Sequence, residues 1–219
     1  MTTPMRRLLI LLSCLLFALP ALAAGPAPAP VEGTDYVLID NPQPYAPLAG
    51  KIEVVEVFGY WCPHCAEFQP QLSAWKRRLP ADVRFSYVPA VFEAGDDFAR
   101  AYFAAEHFGV LDKTHDEMFR AIHAEGLLPR NASASEIAAY YGQQGLDPAK
   151  VQAYMLGPAV QAKLEHARQF ALNAGVDGTP TLVVDGRYRI TAQTHEDGLR
   201  IASQLIDQLR AARRAPPRS

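Results

Sequence analysis

The spacing of apolar positions changes twice along the chain and divides it into three stretches. In the first stretch, Ile52–Phe58 is rich in β-branched residues and is typical of a buried strand. Apolar residues then recur at helical spacing, at Cys65, Phe68, Leu72, Trp75 and Leu79. Further strands are predicted over residues 36–39 and 83–88, so this stretch contains a strand–helix–strand unit.

The second stretch, residues 97–174, contains only helical patterns, and strands return after it. Its predicted helices cover 98–108, 113–123, 135–141, 148–156 and 159–172. The third stretch predicts strands Thr181–Val184 and Tyr188–Ile190, joined by the turn signal Asp185-Gly186, and a last helix over 195–213. This order favours an α/β domain at 35–96 and 175–213, interrupted by an inserted helical domain at 97–174.

The first 24 residues have the pattern of a secretory signal peptide. Two arginines precede an apolar run over residues 8–19, and Ala21-Leu22-Ala23 forms a small-x-small cleavage site. The run is shorter than the ~20 residues that span a bilayer. We expect export with cleavage near residue 23, while an uncleaved anchor and lipidation at Cys14 stay open as alternatives. Residues 25–34, rich in proline and alanine, should form an extended tether.

Composition and charge limit the classes of function that this chain can have. The chain has 219 residues, 49% of them hydrophobic, and a net charge of −2 that becomes −4 without the signal. No basic stripe is present, so we expect no nucleic-acid partner. Loss of Cys14 with the signal leaves only Cys62 and Cys65. An exported domain of this size can fold without disulfides, so the two cysteines are free for chemistry.

The motif Cys62-Pro63-His64-Cys65 begins the first predicted helix. Pro63 suits a first-turn position, and the positive end of the helix dipole favours a thiolate at Cys62. A protonated His64 would favour that thiolate further. Cys65 lies one turn later on the apolar face, so we expect Cys62 to exchange with substrates and the less exposed Cys65 to resolve the mixed disulfide. A stabilised thiolate also predicts that the reduced protein is the more heat-stable form.

Two cysteines at this spacing could also form a structural disulfide or hold a metal. A disulfide across two residues constrains little chain, and zinc normally needs four ligands. A c-type haem needs histidine directly after the second cysteine, where Ala66 stands. A copper(I) site of Cys62, Cys65 and His64 stays open, and with it a metallochaperone function. The remaining histidines show no ligand spacing and are interpreted as surface or packing residues; they are His107, His115, His123, His166 and His195.

The segment from Phe58 to Cys65, Phe-Gly-Tyr-Trp-Cys-Pro-His-Cys, resembles the active site of the DsbA family, and Gly178-Thr179-Pro180 extends the resemblance. The resemblance implies a thioredoxin fold with an inserted helical domain and no cofactor. It implies an oxidase that introduces disulfides into newly exported proteins in the periplasm and is reoxidised by a membrane partner of the DsbB kind. We expect a monomer. An isomerase or reductase of the same fold is the alternative, although isomerases of this group usually carry a dimerisation domain.

Two further site residues depend on this resemblance. Taken alone, Pro180 reads as a trans proline that ends a loop. The resemblance implies instead a cis Thr179–Pro180 bond against the cysteine pair, with the Thr179 backbone offered to substrate and metals kept off the thiols.

Glu56 is the other candidate, six residues before Cys62. If its strand is central, Glu56 is buried, its pKa is raised, and it can exchange a proton with Cys65. The family has a buried acid at this place. The alternative is a solvent-facing carboxylate, which is what we expect of Glu53.

Overall fold

The computed structural model describes residues 28–92 and 95–215, which form a five-stranded sheet with helices packed around it. The signal-peptide prediction and the start of the predicted tether lie outside the described residues. The strands are β1 Tyr36–Leu38, β2 Ile52–Phe58, β3 Val83–Pro89, β4 Thr181–Val184 and β5 Tyr188–Ile190. The helices are α1 Pro63–Lys76, α2 Asp97–His107, α3 Leu111–His123, α4 Ala134–Gln143, α5 Pro148–Met155, α6 Pro158–Asn173 and α7 His195–Arg214.

The predicted order of elements is confirmed, with small shifts at the ends. Helix α1 stops at Lys76, not near Leu79, because the chain tightens into turns before Pro80. In these turns the Arg78 N–H donates to Trp75 O and the Leu79 N–H to Lys76 O. None of the described helices is long and apolar enough to cross a membrane.

Strand β2 lies in the middle of the sheet, whose order is β1-β5-β4-β2-β3. It pairs parallel with β3 and antiparallel with β4, and all seven of its residues are buried. Helix α7 packs against β2, β4 and β5, while α2 and α6 pack against β3. Cover on both faces explains why the strand has a continuous apolar pattern.

The expectation that Glu53 faces solvent is wrong, because its side chain is fully buried. Neither face of a central strand reaches water, so the carboxylate must be paired inside the protein. The β2–β3 register sets Arg84 opposite Glu53, with Arg84 Nη2 2.6 Å from Glu53 Oε1. The backbone N–H groups of Tyr45 and Ala46 also donate to this carboxylate. These donors offset the cost of burying the charge.

The β4–β5 turn is confirmed as the Asp185-Gly186 hairpin, in which both residues have positive φ. A Cβ added at Gly186 would lie 2.3 Å from the backbone carbonyl of Gln43. We expect Gly186→Ala to lower the free energy of unfolding by about 2 kcal/mol, measured by urea unfolding.

Gly126→Ala is the matched control for this substitution. Gly126 has φ +65°, close to the +62° of Gly186, but a Cβ there meets nothing within 4 Å. Gly126→Ala should lower the free energy of unfolding only through backbone strain, by about 1 kcal/mol. Equal losses in the two variants would show that contact with Gln43 contributes nothing.

Candidate active site

Cys62 occupies the N-cap of α1, and three residues separate it from the end of β2. Its N–H donates to Gly59 O at 3.0 Å, which closes a tight turn between strand and helix. The side chain of Cys62 is 4% exposed and that of Cys65 is 0% exposed, and both thiols are free. The structure therefore describes the reduced pair, and the predicted difference in exposure is confirmed.

The pKa of the Cys62 thiol falls from its ordinary value of 9.0 to about 5. The largest cause is a hydrogen bond from the Cys65 side chain, which burial opposes. The Thr179 side chain and the backbone N–H groups of Cys65 and His64 lower it further. The helix start thus contributes as the sequence indicated, but the neighbouring thiol contributes more.

The pKa of the Cys65 thiol is raised, first by burial and then by its hydrogen bond to Cys62 and the charge of Glu56. The pair therefore ionises at Cys62 while Cys65 keeps its proton. This asymmetry provides one nucleophile or leaving group and one shielded thiol.

The other two motif residues lie where the helix start requires them. Pro63 occupies the first helical position, where its missing N–H costs no hydrogen bond. The His64 ring is exposed, and its Nδ1 lies 3.4 Å from Glu67 Oε2. Its backbone N–H, not its ring, is what acts on Cys62 in this arrangement. A role for the protonated ring stays a prediction.

The Thr179–Pro180 peptide bond is cis and lies against the cysteine pair. Cys62 Sγ lies 3.3 Å from Thr179 O, a hydrogen-bond distance when Cys62 carries its proton, although 117 positions separate the two residues in the chain. The trans reading of Pro180 is therefore wrong, and the cis bond against the cysteine pair that the family resemblance implies is confirmed.

Glu56 is fully buried on β2, with Tyr87 and Leu182 opposite it on the neighbouring strands. Among the described residues, neither carboxyl oxygen has a hydrogen-bond partner. The pKa of Glu56 is raised to about 8, first by burial and then by the charge of Cys62, while Lys76 acts in the opposite direction. At pH 7 the side chain is therefore mostly a neutral acid that can donate a proton.

A groove of about 300 Å³ adjoins the cis-proline. Its walls include His64, Phe68, Thr179, Pro180 and His195. The rings of Phe68 and His195 lie 4.7 Å apart. The sequence pattern placed Phe68 in the core and gave no sign of His195, since only the packing of α7 against α1 brings these rings together.

Sequence reasoning also missed the residues that hold the segment before Cys62. The four contacts are Tyr60 OH with His115 Nδ1 at 2.8 Å, His123 Nε2 to Tyr60 O at 2.7 Å, Arg130 Nε to Trp61 O at 2.7 Å and Trp61 Nε1 to Asp96 Oδ2 at 2.8 Å. Burial lowers the pKa of His115 to about 3, so its imidazole is neutral. The partners are 35 to 69 positions apart, so no local spacing could have indicated them.

Within the described ranges, no three histidine, cysteine or acidic side chains cluster in a way that could hold a metal ion. Cys62, Cys65 and His64 do not form such a cluster, because the His64 ring turns toward Glu67.

Comparisons with known proteins agree with this geometry. A family profile described as DSBA-like thioredoxin domain matches residues 53–202. The curated "Thiol:disulfide interchange protein DsbA" of Azotobacter vinelandii is 37% identical over 217 residues, covering 95% of this chain and 100% of that protein. The solved structure of oxidoreductase DsbA from Xylella fastidiosa has a TM-score of 0.81 at 49% identity, covering 84% of this chain and 100% of that one. Pseudomonas aeruginosa DsbA gives 0.78 at 35% identity, covering 85% and 97%.

Proposed function

The chain belongs to the DSBA-like thioredoxin family, and on that basis we propose that it donates a Cys62–Cys65 disulfide to thiols of exported polypeptides. It is a thiol:disulfide oxidoreductase with a thioredoxin fold. The feature that supports this direction of the reaction is the position of Cys62 at the start of α1, where its pKa is lowered, beside the fully buried Cys65, whose pKa is raised.

The exchange has two balanced steps. A substrate thiolate attacks Cys62 Sγ, the Cys62–Cys65 bond breaks, and Cys65 leaves as a thiolate. A second substrate thiolate then attacks the substrate sulfur in the mixed disulfide, and Cys62 leaves as a thiolate. Two electrons pass from the substrate dithiol to the cysteine pair. The departure of the Cys62 thiolate in the second step is favoured because Cys62 has a low pKa.

The burial and the protonation state of Glu56 support a role for it in the first step. Cys65 leaves as an anion in a buried place, and its pKa is raised, so it needs a proton at once. Glu56 is mostly protonated at neutral pH, and its carboxylate form, when present, raises the pKa of Cys65. We propose that Glu56 gives this proton, and takes it back when the pair is reoxidised.

Substrate binding is assigned to Thr179 and Pro180. The Thr179 carbonyl lies 3.3 Å from Cys62 Sγ, so an extended polypeptide attacking that sulfur would pass along this backbone. Pairing like an added strand would hold it without requiring a particular sequence. The adjoining groove with Phe68 and His195 offers space for its side chains.

Several finer expectations complete the proposal. Residues 1–24 act as a cleaved signal peptide that directs the chain to the periplasm, 25–34 as a tether and 97–174 as the inserted helical domain. A membrane protein of the DsbB kind reoxidises the cysteine pair. We expect the protein to work as a monomer.

Equilibration of the cysteine pair with glutathione tests the direction of the reaction. We expect a pair more oxidising than glutathione, because the reduced form is stabilised by the Cys62 thiolate. The fraction oxidised is read after acid quenching and alkylation of free thiols. A strongly reducing, thioredoxin-like equilibrium would leave the fold intact but replace the oxidase by a reductase.

A further inference from the structure

The turn that leads into α1 contains two carbonyl groups that the helix itself cannot pair. The Cys62 N–H donates to Gly59 O at 3.0 Å, so Tyr60 and Trp61 are the central residues of this turn. The hydrogen bonds of α1 begin only at Cys62 O, which accepts from the Ala66 N–H. The carbonyls of Tyr60 and Trp61 lie before that point, so their partners must come from elsewhere in the protein.

Both carbonyls receive a donor from α3 or from the segment that follows it. His123 Nε2 lies 2.7 Å from Tyr60 O, and because a carbonyl only accepts, this nitrogen carries the proton. Arg130 Nε donates to Trp61 O at 2.7 Å. The Trp61–Cys62 peptide group is thereby held at both ends, since its N–H closes the turn on the other side. The direction in which the chain enters Cys62 is therefore fixed by residues outside α1.

The side chains of the two central residues are held as well. Trp61 Nε1 donates to Asp96 Oδ2 at 2.8 Å, and Tyr60 OH lies 2.8 Å from His115 Nδ1. Gly59 leaves space for this arrangement, because a Cβ at Gly59 would lie 2.7 Å from Cε2 of the Trp61 ring. A shift of the turn relative to α1 would therefore break hydrogen bonds to α2 and α3.

The Cys62 thiolate depends on donors whose positions are set by α1. Its pKa is lowered first by a hydrogen bond from the Cys65 side chain, and further by the backbone N–H groups of Cys65 and His64. Hydrogen bonds weaken steeply when their distances and angles depart from the optimum. The stability of the thiolate therefore depends on where the preceding turn places Cys62 relative to the first turn of α1.

We propose that Arg130 and His123 are positioning residues for the thiol exchange, which hold the two carbonyls of the turn and so keep Cys62 Sγ on the donors of α1. The inference rests on the proposed function, since it concerns the same cysteine pair. When either bond is lost, the turn relaxes and the thiolate loses part of its stabilisation. The reduced form then becomes less favourable, and the disulfide becomes a weaker oxidant. The Nε–H of Arg130, and not its charge, has this role.

Arg130→Met and Arg130→Gln together test the role of this donor. The amide nitrogen of glutamine stands the same number of bonds from Cα as arginine Nε, so glutamine keeps a donor without the charge, whereas methionine has no donor. In Arg130→Met we expect the equilibrium with glutathione to shift about fivefold toward the protein disulfide, which corresponds to one net hydrogen bond. The ultraviolet absorbance of the Cys62 thiolate should appear at higher pH. Arg130→Gln should restore most of both properties.

His123→Met and His123→Gln repeat the comparison at Tyr60 O. The glutamine nitrogen again stands as many bonds from Cα as His123 Nε2, so it keeps the donor that methionine lacks. We expect the same direction of change in His123→Met and the same recovery in His123→Gln. Urea unfolding of all four variants shows whether they fold. Because Arg130 is exposed, its two variants decide the question if those of His123 do not fold.

Arg168→Met and Arg168→Gln are the matched controls. Arg168 also donates through Nε, at 3.1 Å, but to Glu165 on its own helix. Neither variant should change the glutathione equilibrium or the titration of Cys62. An unchanged equilibrium in Arg130→Met, or equal shifts in Arg130→Met and Arg130→Gln, would overturn the positioning role. An unsubstituted protein that is less oxidising than glutathione would instead contradict the proposed function, while the ratio between variants would still test the positioning role.

Discussion

At pH 7 the reduced protein should resist unfolding better than the oxidised protein, with about 3 kcal/mol contributed by the Cys62 thiolate alone. The reason is the fall of the Cys62 pKa from 9.0 to about 5 on folding. At neutral pH the folded chain binds no proton at Cys62, whereas the unfolded chain still does. The oxidised protein has no thiolate and lacks this contribution.

The sign of the pH dependence follows from the depressed pKa. The contribution is complete above about pH 9, falls by about 1.4 kcal/mol per pH unit as the pH is lowered, and is absent below about pH 5. Guanidinium unfolding at pH 7 and pH 5, with and without a phosphine reductant, measures it. The advantage of the reduced form should shrink by about 3 kcal/mol between these two conditions.

The double variant Cys62→Ser, Cys65→Ser serves as the control, because its stability should not respond to reductant at either pH. Greater stability of the oxidised form at pH 7 would contradict the prediction. So would a difference between the two forms that stays constant from pH 5 to pH 7.

Replacing Glu56 by glutamine should stabilise the reduced protein by about 3 kcal/mol at pH 7. Folding raises the pKa of this buried carboxyl from 4.5 to about 8. Between these values the unfolded chain releases a proton that the folded chain retains, so the native glutamate increasingly costs stability as the pH rises. The gain from Glu56→Gln should vanish below about pH 4.5 and level off above about pH 8. Urea unfolding at pH 4, 7 and 9 measures this profile.

Glu56→Gln also tests whether Glu56, besides lowering stability, takes part in the exchange reaction. Glutamine cannot give a proton to the Cys65 thiolate, so we expect the release of Cys65 in stopped-flow exchange to slow by about tenfold at pH 7. Glu165→Gln, which removes an exposed carboxylate from α6, should change neither quantity. An unchanged exchange rate in Glu56→Gln would leave Glu56 with no part in proton transfer.

Local patterns were sufficient to predict the elements that hold the cysteines. The strand Ile52–Phe58, the helix start at Pro63 and the Asp185-Gly186 turn each depend on residues close together in the chain. Periodicity could not decide whether β2 is central, because alternation describes a strand's faces and not its neighbours. This is why Glu53 was predicted to face solvent, although Arg84 on β3 pairs with it inside the protein.

The hydrogen bonds that hold the segment before Cys62 could not be predicted from the sequence. Arg130, His123 and Asp96 reach Trp61 and Tyr60 from the helical region, and nothing in their own surroundings marks them. Hydrogen bonds of this kind depend on how helices pack, which a single sequence does not specify residue by residue.

By itself the sequence determined the order of elements, the two cysteines at a helix start and the greater burial of the second cysteine. These features follow from local propensity and from short-range helix geometry. Only the tertiary structure decided the charge state of the site. The Thr179 carbonyl next to Cys62 and the buried surroundings of Glu56 both come from segments distant in the chain. Burial and hydrogen bonding set ionisation, and both depend on what folding brings near each group.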